Sequence, residues 1–182
     1  HEGAGAAPSV KHFPGHGATA PGSHVAFPAI THTREQWEAI DAPPFKAAIN
    51  EQIDMIMTAH LSFPALDDSG NPATLSKPIM TGVLRGELGY EGVIVTDSLG
   101  MQGVRDRYGD AEVAIRALEA GADQLLMSPA MDEAYAAVLG AARTGRISAA
   151  DLDAKVRRVL ELKFGRGLVA SPYADPAAVS SV

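Results

Sequence analysis

Gly92-Val93-Ile94-Val95-Thr96 decides how the rest of the chain is read. The run is almost wholly β-branched, and no polar residue alternates with its apolar ones. A strand with one wet face would show that alternation, so this one is expected to be buried on both faces, as in a parallel sheet covered by helices. Asp97 is the first charge after it and is followed by Ser98-Leu99-Gly100-Met101. A carboxylate is thereby delivered to the carboxyl end of a buried strand.

Reading outward toward the amino terminus, Ser76 can cap a helix over residues 77–88, with Pro78 in the tolerated first turn and Gly89 as a left-handed stop. Residues 53–58 are an apolar run of strand length ending at Ala59-His60, and the Pro/Gly-containing stretch 61–75 reads as a loop. Thr33 with Gln36 forms a capping box that starts a helix. Pro43-Pro44 is expected to interrupt that helix, leaving a second piece over 44–52. Residues 8–13 read as a strand running into Pro14-Gly15-His16-Gly17. Toward the carboxyl terminus come a helix over 110–120 stopped by Gly121, a strand over 124–127 and a helix over 131–143. Ser148, with Asp151 three residues on, then caps a last amphipathic helix to residue 164, and 170–182 reads as a frayed tail.

Four β-loop-α units in succession imply an α/β fold with mostly parallel strands alternating with helices, right-handed crossovers, and ligands at the carboxyl ends of the strands. Lys11-His12, His60 and Asp97 all fall at those ends. They would share one face.

With 182 residues, 46% of them hydrophobic, the chain can bury one core, and one domain is expected. Only 5% are aromatic, which fits strand-loop-helix repeats better than a sandwich of short strands. A net charge of −7 offers no basic footprint for nucleic acid or anionic membranes. There is no cysteine, which excludes disulfides and thiolate metal sites. No apolar run approaches the ~20 residues that span a bilayer.

Asp97 is placed either for catalysis or for capping the loop that follows it. His24, in an Ala/Gly/Pro-rich loop, is an acid/base candidate or a solvated histidine. Lys11 and His12 can reach a polyhydroxylated ligand if strand alternation relaxes; otherwise they are an exposed lysine and a hydrogen-bonded histidine. His16, between Gly15 and Gly17, is expected to shape the loop. His12, His16, His24 and His60 lack the helical spacing of zinc ligand pairs, so neither a metal nor a cofactor is expected.

Taken together, Lys11-His12-Phe13-Pro14-Gly15-His16-Gly17, Ser23-His24, Met57-Thr58-Ala59-His60, Pro72-Ala73-Thr74-Leu75-Ser76 and the 92–101 stretch resemble glycoside hydrolase family 3, in its bacterial β-N-acetylhexosaminidase branch. The resemblance covers residues 8–168. It implies a retaining glycosidase that removes terminal β-linked N-acetylhexosamine from glycans such as cell-wall-derived amino sugars, with no cofactor. By the same resemblance Asp97 is the nucleophile, His24 the loop acid/base, Lys11 and His12 ligands of the sugar, and Met101 a further substrate contact. The compartment, bacterial cytoplasm or envelope, stays open, as does the choice of water or phosphate as acceptor.

The chain departs from the family at Gly22, where members carry an Asp paired to the histidine, and at Ala18, also usually Asp. Gly22 is the feature favouring an alternative, a catalytically impaired sugar-binding or interaction protein. A whole barrel needs about 250 residues. The expectation is therefore the C-terminal half of a (β/α)8 TIM-type barrel over residues 1–169, with a tail over 170–182 and the N-terminal half of the barrel as its missing partner.

Overall fold

The computed structural model describes residues 6–18 and 28–173. Four parallel strands, β1 (Ser9–Phe13), β2 (Met55–Thr58), β3 (Val93–Ser98) and β4 (Gln124–Leu126), lie side by side in sequence order. Ser9 pairs with Met55, Met55 with Val93, and Val95 with Gln124, so the carboxyl ends of all four strands line up. Val93, Ile94, Val95 and Thr96 are all buried, as the β-branched run requires.

Three boundaries differ from the sequence reading. Asp97 lies inside β3 rather than after it. The register shifts between Val95 and Ser98, and Leu99 N–H donates to Leu126 O at 2.8 Å, so pairing to β4 carries the strand past the carboxylate. Conversely β4 ends at Leu126 because Met127 adopts a left-handed φ of 51°, which cannot continue a strand. The third is a helix, α3 (Gln102–Tyr108), unannounced because Val104 is its only buried residue.

The capping box forms as expected, with Thr33 and Gln36 each accepting from the other's backbone N–H, and opens α1 (Arg34–Gln36). Pro43-Pro44 does not break the helix. A wider π-type segment, Trp37–Asp41, leads directly into α2 (Ala42–Asn50), where the prolines take the first positions. Prolines there have no N–H to lose to the preceding turn, and the wider winding relieves their clash with it. Ser76 caps the next helix by accepting from Ile79 N–H at 3.1 Å, and Gly89 ends it at φ 65°. That helix is π-wound over Pro78–Glu87.

Downstream, α4 (Asp110–Ala120) stops at Gly121 with φ 126°, followed by α5 (Met131–Arg143) and α6 (Ala149–Gly165). Ser148 Oγ accepts from Asp151 N–H at 3.1 Å at the start of α6. Of the expected tail, residues 174–182 lie outside the described residues.

The main core joins β1, β2 and β3 to the helices through Phe13, Trp37, Phe45, Ile56, Met80, Leu84 and Ile94, all buried. Phe13 meets Phe45 edge to face, with centroids 5.1 Å apart. Such a pair adds roughly 0.5–1.5 kcal/mol beyond its buried area. A smaller cluster of Ile115, Leu118, Ala141 and Ile147 binds α4 to α5. No helix among the described residues is long and apolar enough to cross a membrane.

Candidate active site

Parallel strands in sequential order bring the carboxyl ends of β1, β2 and β3 together, and with them His12, His60 and Asp97. His12 Nε2 lies 3.7 Å from Asp97 Oδ2, with the two side chains 27% and 20% exposed. That separation is too long for a hydrogen bond, so it leaves Oδ2 without a donor among the described residues. The other oxygen is held: Oδ1 accepts from Ser98 N–H at 2.7 Å. The capping role read for Asp97 is therefore seen in its bond to Ser98. One oxygen organises the turn, and the other lies nearest His12.

His12 is half-exposed at the end of β1, and Lys11 beside it is exposed. Burial pushes the His12 imidazolium below its ordinary range more than the Asp97 charge raises it, with Lys11 and His16 lowering it further. His12 is consequently a neutral hydrogen-bonding group near neutral pH. Met101, 47% exposed, stands just beyond the turn that follows β3, at the cap of α3. His24, with Gly22 and Ser23, lies outside the described residues.

The loop after β1 is braced from beneath by residues that sequence reasoning passed over. Gly15 has φ 141°, and a Cβ there would stand 2.7 Å from Asp41 Oδ1. Asp41 in turn bonds His32 Nδ1 at 2.6 Å, and Trp37 Nε1 donates to Pro14 O at 2.8 Å. Glycine is required at position 15 both by its backbone and by this contact. The chain's single tryptophan, eight residues before Phe45 in an otherwise polar helix start, was the signal for such a brace. His16 is exposed, its ring centroid 5.6 Å from that of His12, beside this braced turn.

His60 is the other residue whose place was foreseen but whose partners were not. It is buried, with Nε2 2.9 Å from Ser98 O and Nδ1 3.0 Å from Thr74 Oγ1. Burial pushes its imidazolium below the ordinary range, against the Ser98 carbonyl and the Asp97 charge, which raise it; His12 lowers it slightly. Among the described residues no three His, Cys, Asp or Glu side chains converge as a metal site.

Asp97 thus has one oxygen tied to backbone and one without a donor among the described residues, at the carboxyl edge of a parallel sheet, where ligands of such sheets bind. Residues 1–162 match the family model described as "Glycosyl hydrolase family 3 N terminal domain". The chain is 38% identical to a β-hexosaminidase A of Pseudoalteromonas piscicida, in an alignment covering 89% of this chain and 30% of that protein. It is 42% identical to a β-hexosaminidase of Shewanella frigidimarina over 68% of this chain and 36% of that one. The solved structure of a glycoside hydrolase family 3 β-N-acetylglucosaminidase from Paenibacillus sp. superposes with a TM-score of 0.90 at 44% identity, covering 96% of this chain and 34% of that chain. The chain thus spans about a third of the length of each of these proteins.

Proposed function

The chain belongs to glycoside hydrolase family 3, and on that premise we propose that it is part of a retaining β-N-acetylhexosaminidase acting on terminal N-acetylglucosamine of glycans or cell-wall fragments. Residues 1–169 supply the C-terminal half of a (β/α)8 barrel, and 170–182 are a tail. Support for the half-barrel comes from four parallel strands in unbroken sequential order, and from relatives about three times as long.

The observation that carries the functional reading is the open Oδ2 of Asp97 at the carboxyl end of β3, facing His12 across 3.7 Å. In the proposed reaction Oδ2 attacks the anomeric carbon as the glycosidic C–O bond breaks, and His24 gives its proton to the leaving oxygen. A glycosyl ester of Asp97 forms. Neutral His24 then takes a proton from water, whose oxygen attacks the same carbon and releases Asp97 as carboxylate. Lys11 and His12 hydrogen-bond the sugar hydroxyls, and Met101 gives an apolar contact beside them. An anion below the anomeric carbon is what an oxocarbenium-like transition state requires.

The test is Asp97→Asn in the full-length protein, assayed by release of nitrophenol from its N-acetyl-β-glucosaminide. The amide is nearly isosteric but a poor nucleophile, so turnover is expected to vanish while the variant stays folded. Near-normal turnover would remove Asp97 from this role.

A further inference from the structure

His60 is buried and has no part in the chemistry just described. One of its hydrogen bonds nonetheless ends on Ser98, the residue next to Asp97. We infer that His60 is a positioning residue, which fixes the Asp97 carboxylate by donating from Nε2 to the Ser98 carbonyl and is itself locked in that tautomer by Thr74. The inference rests on Asp97 being the nucleophile.

The tautomer follows from the partners. A carbonyl oxygen only accepts, so Nε2 of His60 must carry the proton across the 2.9 Å contact to Ser98 O. In the neutral ring Nδ1 is then an acceptor, and the Thr74 hydroxyl 3.0 Å away must donate to it. Thr58 Oγ1, 2.9 Å from Thr74 Oγ1, completes the chain as donor to Thr74. Ala59 O, also 3.0 Å from the Thr74 hydroxyl, does not need that proton because Thr74 N–H already donates to it at 3.2 Å. The lowered basicity of buried His60 agrees with a neutral ring.

The mechanical consequence lies at Ser98. Its carbonyl accepts from both His60 and Met101 N–H, its own N–H holds Asp97 Oδ1, and Leu99 N–H is tied to Leu126 O. One residue thus joins the end of β2 to the turn after β3. Without the His60 bond, that turn keeps its tether to β4 and loses the one to β2. A carboxylate must meet the anomeric carbon at about 3–3.5 Å, and a misplacement of about 1 Å can cost ~10²-fold in rate.

In full-length protein, His60→Leu removes the donor, His60→Gln can place an amide N–H where Nε2 stands, and His60→Asn can only reach the place of Nδ1. The expected result is that His60→Leu and His60→Asn lower kcat/KM for nitrophenyl N-acetylglucosaminide by ~10- to 100-fold, as loss of an orienting partner does elsewhere. His60→Gln is expected to recover to within about fivefold, and inhibition by free N-acetylglucosamine to stay within about twofold of wild type in the folded variants. A merely structural role would not separate Gln from Asn. If His60→Leu fails to fold, the Gln/Asn pair decides alone. Equal rates for Gln and Asn, or a His60→Leu enzyme within about twofold of wild type, would overturn the inference. If Asp97→Asn, run beside them, keeps its activity, the nucleophile assignment has failed; if it is inactive while His60→Leu is normal, only the positioning role has.

Discussion

Asp97 and Asp123 both stand where a strand meets a loop, one at the carboxyl end of β3 and the other just before β4, and their surroundings are opposite. The Asp123 side chain is fully buried. Its Oδ2 accepts from Arg85 Nη2 at 2.6 Å and from Ile94 N–H at 2.8 Å, and its Oδ1 accepts from Arg158 Nε at 2.9 Å. Arg85 also donates to the carbonyls of Tyr90 and Gly92. Nearby, Arg166 pairs with Asp54 at the same end of the sheet. Asp97 has one backbone donor on one oxygen and a neutral imidazole 3.7 Å from the other. The amino end of the sheet therefore pairs its charges with one another, whereas the carboxyl end leaves one Asp97 oxygen without a donor among the described residues. In a chain with 22 acidic residues, that difference singles out Asp97 better than its position does.

The sharpest way to break this contrast is to neutralise each aspartate in the full-length protein. Asp97→Asn should abolish turnover with little change in stability. Asp123→Asn should do the reverse, because it removes a fully buried carboxylate from two partly buried guanidiniums, a change expected to cost up to ~3 kcal/mol. Denaturant unfolding and nitrophenol release measured on both variants check the crossed pattern. A pair of variants that lose activity and stability together would erase it.

A smaller effect is expected at the braced loop. Gly15→Ala puts a Cβ against Asp41 at a φ that alanine resists, for a loss of roughly 1–3 kcal/mol. Because the loop follows directly on Lys11 and His12 at the end of β1, KM should rise as well. A stable variant with unchanged KM would show that Asp41 does not hold the loop.

The least change is expected from pH. His60 and His12 both have imidazoliums lowered by burial in the folded state, so the unfolded chain binds protons that the native one refuses. Stability should therefore be full above the ordinary histidine value of 6.5 and fall as pH drops below it toward the lowered native values. Unfolding measured across this window should show a shallower slope for His60→Gln than for wild type. An unchanged slope would mean that His60 is protonated alike in both states.

How much of this was legible in the sequence depended on whether the determinant was local. The buried β-branched run, the Thr33–Gln36 and Ser148 caps, and the stops at Gly89 and Gly121 are encoded within a few residues and stand where they were expected. The π-type turn that admits Pro43-Pro44 trades one hydrogen-bond pattern for another, and proline alone says only that the α pattern cannot continue. Site partners were hidden for a different reason. His60 reaches Ser98 across 38 positions and Asp123 reaches Arg85 across 38, so neither pairing has a local signature. Strand-end placement put His12, His60 and Asp97 on one face, but the choice of which carboxylate stays open needed the structure.

The most direct test of that choice is covalent trapping. Full-length protein incubated with an N-acetylglucosaminide bearing an activated leaving group and fluorine at C5, which slows hydrolysis of the glycosyl ester, should gain one sugar by mass. Digestion should then locate it on the peptide containing Asp97. A sugar attached to any other residue, or continued turnover without an adduct at Asp97, would contradict the account.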